Sequence, residues 1–471
     1  MIRPRALLPL LASAGFVAAC AYYNGLYNAN DLAHRAEKAE RDGRTLDAQS
    51  LWGQVAVRAE TVVARHPHSK WTDEARLLQG KALERTGDCT AAIGPLQRVM
   101  RESGDPHLVD EAAFRLSSCQ LKLGDLEAAG YTVERFLQSP DPARRNEAAW
   151  RAGIAYRRTG RAEEAVTVLR ASRHRQARGE LAAALADAGR DAEAIALADS
   201  LLAERDTTAP WGAVLSGIGQ HDAAAASALL ARVLTRLSPL QDTAAAWLTA
   251  DARRLLPSDE ARALAQLEAA YSAAPARAVG LYARIIGLRH RLAMADDPAF
   301  LDSIPLILGD IEPSAGDAMI QGRQLAEAAQ SARQRLDSLV VTAPQGDIKG
   351  FLLGEALRDS LRAPRLAALV WRRVLAERPE SPYAPKMLLA IAATGATPDD
   401  SITTLLDGRY AGSPYVLALH GHDDPAYRAL EDSLVRFARS ARTPARTPTI
   451  RPPARGARPT PTSPTPATPV Q

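Results

Sequence analysis

The sequence predicts an all-α protein, an α-solenoid built from repeated helical hairpins. A Gly-Asp or Gly-Arg turn recurs in the first half of the chain, and at Gly87, Gly124 and Gly160 the interval is 36 or 37 residues. Apolar residues make up 46% of the chain but aromatic residues only 5%, as expected where helices pack through small side chains. Proline residues separate the helical segments of the second half. Together these observations favour a helical repeat array.

The first residues have the pattern of a bacterial lipoprotein signal, so residues 1–19 are expected to be removed. Arg3 and Arg5 precede an apolar segment that is too short to span a bilayer. Small residues then lead into Cys20, whose thiol can accept a diacylglyceryl group. An ordinary secretory signal with an incidental cysteine is the alternative. Lipidation at Cys20 would make residues 20–32 a lipid anchor and linker.

Residues 33–206 are predicted to form an N-terminal repeat array. Each unit has a first helix with small residues, a glycine turn, and a second helix. The glycine supplies the positive φ that ends the first helix. The turn glycines are Gly43, Gly87, Gly124, Gly160 and Gly189. The interval is close to the 34 residues of the tetratricopeptide repeat (TPR), which these units resemble.

The rest of the chain divides into three predicted segments. Residues 207–345 have helical patterns without the glycine turn, and we interpret them as degenerate hairpins. In residues 346–440 TPR-like helices return, and a Ser before an aromatic residue, as at Ser381 and Ser413, is placed to cap a helix start. Residues 441–471 are rich in Pro, Thr and Arg without apolar periodicity, which predicts a disordered tail.

Charge and motifs argue against two classes of function. The net charge is +4, but two arginines lie in the signal and five in the tail, so the folded middle is slightly acidic and nucleic-acid binding is not expected. The sequence contains no phosphate-binding glycine loop, His-Glu-x-x-His motif, Cys-x-x-Cys pair or Gly-x-Ser-x-Gly elbow. We therefore expect neither an enzyme nor a site for a cofactor, metal or small-molecule substrate.

Two cysteines remain after Cys20. Cys89 begins the second helix of one unit, and Cys119 lies near the end of the first helix of the next. Counting outward from a turn near Asp105 places residue 89 opposite about residue 121, so the two thiols are within reach of each other. A disulfide would join adjacent units. Two buried free thiols are the alternative, because cysteine packs well as a small apolar residue.

The first helices of the three clear units are expected to line the inner groove. Their candidate groove residues are Glu74, Leu77, Lys81, Arg85, Glu111, Phe114, Lys122, Glu147, Trp150, Arg157 and Arg158. One interpretation is a bipolar groove that binds an extended peptide, with Phe114 and Trp150 as anchors. The alternative is that these charges complement the helix dipoles without any ligand. The sequence slightly favours a partner contact for Trp150.

The cysteine at the end of the signal, the stretch Tyr22-Tyr23-Asn24-Gly25-Leu26-Tyr27-Asn28-Ala29 and the Ser-aromatic connectors together resemble bacterial TPR lipoproteins of the BamD-like outer-membrane β-barrel assembly family. The resemblance covers about residues 21–202 and 351–419. Members of that family have about five repeats and about half this length, so the central helices and the tail depart from the pattern.

The resemblance implies a membrane-anchored periplasmic scaffold that binds protein partners in cell-envelope assembly, including β-barrel insertion. Residue 21 is Ala rather than the Asp that retains lipoproteins in the inner membrane, which favours the periplasmic face of the outer membrane. The alternative function is a cell-wall or division-associated adaptor that binds peptidoglycan-linked partners. In that case the Arg/Pro tail would contact anionic envelope polymers.

Overall fold

A computed structural model describes residues 25–309, 311, 315–395, 400–422 and 424–442. These residues form α-helices joined by turns and short loops, with no strand among them, which confirms the predicted all-α class. The predicted signal peptide, the lipidation at Cys20 and the predicted tail after Arg442 lie outside the described residues. Residues 441 and 442, assigned to the tail from sequence, complete the last helix.

The helices are numbered α1 to α23 in chain order. Helix α1 comprises residues 25–41. In the first half they continue as α2 Thr45–Arg65, α3 Thr72–Thr86, α4 Cys89–Glu102, α5 Pro106–Leu123, α6 Leu126–Glu134, α7 Pro142–Arg158, α8 Ala162–Ala171, α9 Ala177–Asp187, α10 Asp191–Ala203, α11 Trp211–His221 and α12 Ala223–Leu237. In the second half they are α13 Gln241–Leu255, α14 Glu260–Ala273, α15 Ala278–Met294, α16 Phe300–Leu308, α17 Asp317–Asp337, α18 Gly346–Asp359, α19 Pro364–Glu377, α20 Ala384–Ala392, α21 Asp400–Asp407, α22 Pro414–Leu419 and α23 Pro425–Arg442.

Helix α1 begins earlier than the sequence analysis placed the first repeat. Residues 25–32 were assigned to a linker, but they belong to the helix. Leu26, Ala29, Leu32 and Ala36 recur at helical spacing, and all four are buried in one cluster with Trp52. Because this apolar face is buried, residues 25–32 belong to helix α1, and the predicted linker extends too far along the chain.

The glycine turns have the predicted geometry. Gly43, Gly87, Gly124, Gly160 and Gly189 all have positive φ, between 72° and 87°. At Gly87 and Gly124 the glycine is the left-handed C-cap of the first helix. Residues with a side chain adopt this conformation only with strain, which explains the recurrence of glycine in the sequence.

The Ser-aromatic connectors share one hydrogen bond. The Ser69 hydroxyl accepts from the Trp71 backbone N–H at 3.4 Å. The hydroxyls of Ser381 and Ser413 accept from the N–H of the second following residue in the same way, both at 3.2 Å. In each case the hydroxyl satisfies a backbone donor where a helix begins.

Small residues let the two helices of a unit approach closely. A Cβ added to Gly80 in α3 would lie 2.5 Å from Cδ2 of Leu96 in α4. The same substitution at Gly153 in α7 would bring the new Cβ into contact with Leu169 in α8. Leu96 and Leu169 are fully buried, so each glycine leaves the space that the side chain of a core leucine fills.

The chain forms two compact units, one ending at Arg284 and the other beginning at Ile285 within α15. In unit 1 consecutive helices pack against each other, and in addition α3 contacts α5, α5 contacts α7, α7 contacts α9, α9 contacts α11, and α11 contacts α13. Hydrogen bonds also join α1 to α3. We call these seven odd-numbered helices the inner layer. Unit 1 is thus an array of TPR-like hairpins, continuing through the region without glycine turns.

Unit 2 has the same hairpin packing. Helix α18 packs on α19, where the rings of Phe351 and Trp371 stack with centroids 6.4 Å apart. The Trp371 indole N–H donates to the Phe351 carbonyl oxygen at 3.1 Å. Helices α20, α21, α22 and α23 complete the packing. Among the described helices of either unit, none is long and apolar enough to cross a membrane.

Candidate partner-binding surface

Successive helices of the inner layer are joined by polar contacts near the predicted groove positions. Between α1 and α3, Lys81 Nζ lies 2.7 Å from a carboxylate oxygen of Glu37, and Arg85 lies 3.5 Å from Glu40. Glu74 accepts from the Asn30 side-chain amide at 3.4 Å. Burial alone would raise the pKa of Glu37, but the hydrogen bond and charge of Lys81 outweigh it and lower that pKa.

Glu84 is the centre of the contact between α3 and α5. Its carboxylate is buried and lies 3.3 Å from Arg115, while the Ser118 hydroxyl donates to it at 2.9 Å. Lys122 Nζ is 4.0 Å from the same carboxylate. A buried carboxylate is costly unless it is paired and hydrogen-bonded, and three groups of α5 provide those partners.

Glu111 extends the network from α5 to α7. Its carboxylate pairs with Arg115 at 2.8 Å and with Arg144 of α7. Burial raises the pKa of Glu111, but the positive charges of the two arginines outweigh it, so the pKa lies below its usual value. Arg151 is buried and donates to the Ser117 hydroxyl at 3.0 Å and to the Phe114 carbonyl.

The structure corrects the prediction that Phe114 is a surface anchor. Its side chain is only 5% exposed. The ring packs edge-to-face on Phe136, with centroids 5.3 Å apart, and the Arg151 guanidinium lies 4.2 Å from its centroid. Phe114 therefore stabilises the α5–α7 contact and offers no ring to a partner.

Trp150 is half-buried and packs on the loop between α8 and α9. Its ring stacks on His174, with centroids 4.3 Å apart and an interplanar angle of 17°. Burial lowers the pKa of His174, which favours the neutral imidazole. Within the described residues the buried indole nitrogen of Trp150 has no hydrogen-bond partner. Glu147, on the same helix, pairs with Arg151.

The last turns of the inner helices carry the remaining predicted cations. Arg157 is nearly buried, 3.2 Å from both Glu180 and Asp187 of α9, and so joins α7 to α9. The side chains of Arg85 and Lys122 are 38% and 52% exposed, and Arg158 is also exposed. We call Arg85, Lys122 and Arg158 the basic row.

The three cations of the basic row share one edge of the inner layer. Polar contacts join residues about one repeat apart on adjacent inner helices, such as Glu84 with Ser118 and Ser117 with Arg151. The inner helices therefore run parallel and in register, and their C-terminal ends lie side by side. Cations at these ends also complement the helix dipoles.

A disulfide joins Cys89 of α4 to Cys119 of α5, with the Cα atoms 5.0 Å apart. Both residues are buried in a cluster with Leu96 and Leu116. The bond connects the second helix of one unit to the first helix of the next, as the sequence geometry allowed.

Sequence analysis missed three residues that hold the inner layer together: Glu84, Arg115 and Arg151. The repeat length was the signal that could have found them. Ser118 follows Glu84 by one ideal repeat, and Arg151 follows Ser117 by the same interval. Residues separated in this way lie on adjacent inner helices at the same height. Polar residues at that spacing are candidates for a contact between units.

The comparisons with known proteins find structural likeness only. No protein-family model and no curated protein matches the chain. The chain is similar to a tetratricopeptide repeat protein from Parabacteroides merdae, at 16% identity, a TM-score of 0.36, and 52% coverage of this chain and 93% of that one. It is also similar to the P58(IPK) TPR domain, at 13% identity, a TM-score of 0.21, and coverages of 75% and 100%. The TPR-like architecture described above rests on helix packing and turn geometry.

Metal ligands and clefts were the remaining candidate features of the described residues. No group of three or more His, Cys, Asp or Glu side chains there is arranged to hold a metal ion. An open cleft of about 430 Å³ lies beside Arg178, Glu204 and Asp206. Arg178 already pairs with Glu204 at 2.7 Å in this cleft.

Proposed function

We propose that this chain is a membrane-anchored periplasmic scaffold that binds protein partners during cell-envelope assembly. The observation that carries the proposal is the continuous inner layer of unit 1, in which the first helices of successive hairpins contact one another. Stacked hairpins create an extended surface in which many helices each contribute a few residues. Such a surface is suited to a protein segment.

The basic row is the part of this surface that we assign to partner binding. Lys81 and Arg157 are largely covered in ion pairs with acidic residues of neighbouring helices. Arg85 and Lys122 also lie near Glu40 and Glu84, but their side chains, like that of Arg158, remain accessible at one edge. We expect them to bind carboxylates of a partner, with complementary charge accelerating association and setting orientation.

The specific version of the proposal is a role in outer-membrane β-barrel assembly. It is supported by the sequence resemblance over residues 21–202 and 351–419. The experiment is purification of the tagged full chain from detergent-solubilised envelopes, followed by mass spectrometry. We expect a β-barrel assembly protein to co-purify in stoichiometric amount. Its absence, with peptidoglycan-associated proteins captured in its place, would contradict the barrel-assembly role and favour the cell-wall adaptor.

A further inference from the structure

The buried and partly buried residues of helix α23 lie on one face. Leu434 is buried at 4% exposure, and Leu430 and Glu431 are partly buried beside it. Asp432 and Arg436, on the opposite side, are exposed. The helix packs against α22, which is only six residues long. This arrangement resembles a bound amphipathic helix more than a core helix, which would be covered on several sides.

Hydrogen bonds from α20 and α22 hold α23 in position. The Glu431 carboxylate accepts from Lys386 Nζ of α20 at 2.5 and 2.6 Å and from the Tyr415 hydroxyl of α22 at 2.8 Å. Four residues before Glu431, the ring of Tyr427 packs edge-to-face on Tyr415, with centroids 5.5 Å apart. Charge-assisted hydrogen bonds of this kind are short and geometrically specific.

Lys386 lies at the centre of this site and has a second carboxylate nearby. Its ammonium lies 5.3 Å from the ring centroid of Phe351 and 5.6 Å from that of Tyr415. Burial raises the pKa of Glu355 on α18; Lys386 opposes this increase and Glu431 adds to it. Lys386 therefore interacts electrostatically with Glu355 as well as with Glu431.

We infer that Lys386 and Tyr415 form a docking site for an amphipathic helix with one carboxylate on its buried face, which α23 occupies within the same chain. The helix that fits has an aromatic residue, a carboxylate four positions later, and a leucine three positions after that, as in Tyr427, Glu431 and Leu434. A partner helix with this pattern displaces α23 and makes the same contacts. The inference depends on the proposed scaffold function in one respect: the ligand is taken to be a helix of a protein partner.

The site has the features of a helix-binding groove. The ring of Tyr415 provides aromatic contact, and Lys386 provides one charged contact that fixes the register of the bound helix. Because α23 is tethered to the site, its high effective concentration keeps the groove occupied until a partner competes. The cost of displacing α23 makes binding selective for partners with the full pattern.

The test uses the full chain and a fluorescein-labelled synthetic peptide of residues 425–442, with binding followed by fluorescence anisotropy. Glu431→Lys places two cations together and releases α23. We expect this variant to bind the wild-type peptide at least tenfold more tightly than the wild-type chain does. Asp432→Lys makes the same charge change on the exposed face of α23, so it should bind the peptide as wild type does.

A charge-exchange experiment tests the contact between Lys386 and Glu431. A chain with Lys386→Glu should not bind the wild-type peptide but should bind a peptide with Glu431→Lys. Circular dichroism confirms that each variant remains helical. Equal binding by Glu431→Lys and Asp432→Lys, or no binding by any chain, would overturn the inference. A wild-type dimer that Glu431→Lys dissociates would also overturn it, in favour of α23 exchange between two copies. None of these results bears on partner capture by unit 1.

Discussion

At the scale of single residues, the buried Glu84 and the half-buried Glu111 join the repeats of unit 1. Glu84 and Glu111 each connect neighbouring inner helices through arginine partners. A pair of this kind often contributes little net stability relative to an apolar pair, but loss of one partner leaves an uncompensated charge. Such contacts fix the register between repeats, which apolar packing of alanine-rich helices specifies weakly.

Glu111 should make stability depend on pH in acid. Its pKa in the folded chain is lowered, so between that value and the unfolded value, about 4.3, the unfolded chain binds more protons. Stability from Glu111 is therefore complete above about pH 4.3 and is lost as pH falls through the folded pKa. Glu111→Gln should reduce the free energy of unfolding at pH 7 by about 1 to 2 kcal/mol.

The measurement for Glu111 is urea unfolding at several pH values from 7 to 3. The difference between wild type and Glu111→Gln should shrink in acid, because the wild-type carboxylate becomes protonated. Glu127→Gln, at an exposed position of α6, is the control for loss of one acidic side chain. A constant difference at every pH would show that the charge of Glu111 is not what stabilises the contact.

Substitution by alanine at two glycines should change the free energy of unfolding in opposite directions. In Gly80→Ala the new Cβ would lie 2.5 Å from Leu96, which should destabilise the chain by about 1 to 3 kcal/mol. Gly53 in the interior of α2 has no atom within 4 Å of the same position, so Gly53→Ala should stabilise by about 0.5 to 1 kcal/mol. Urea midpoints of both variants check this, and changes of equal sign would contradict the close-packing account.

At the scale of elements, the Cys89–Cys119 disulfide joins α4 to α5 across a separation of 30 residues. Closing a loop of this length in the unfolded chain stabilises the fold by about 3 to 4 kcal/mol in the chain-entropy model. Dithiothreitol should therefore lower the urea midpoint of wild type and leave Cys89→Ala/Cys119→Ala unchanged. Mass spectrometry after alkylation of the denatured, unreduced chain should find both thiols protected. Alkylation at both cysteines would show that they are free.

The sequence predicted the helices better than the contacts between them. Positive φ at Gly87 and the capping hydroxyl of Ser413 are local requirements, so single positions predicted helix ends. Contacts between units depend on how helices far apart in the chain align. In the sequence, Phe114 is an aromatic residue on the helical face where a surface anchor is expected. In the folded chain, Phe136 and Arg151 cover its ring. How α5 aligns with α7 decides whether the Phe114 ring is exposed or covered, and the sequence does not specify that alignment.

At the scale of the whole molecule, the proposed function requires a lipid anchor that holds the scaffold at a membrane. Cys20 is outside the described residues, and its lipidation remains a prediction from the signal pattern. Cys20→Ala should move the chain from the membrane pellet to the soluble fraction after cell lysis and high-speed centrifugation. A high-salt wash of the wild-type pellet is the control for peripheral attachment. Retention of Cys20→Ala in the washed pellet would refute the lipid anchor.

The central claim is that the inner layer of unit 1 binds an envelope protein through its basic row. The most direct measurement compares, by quantitative mass spectrometry, the β-barrel assembly protein captured by wild type, by Arg158→Glu, and by Arg98→Glu. Arg98 is an exposed cation on α4, outside the inner layer. We predict that Arg158→Glu loses at least tenfold in capture while Arg98→Glu matches wild type. Equal capture by all three chains would contradict the claim.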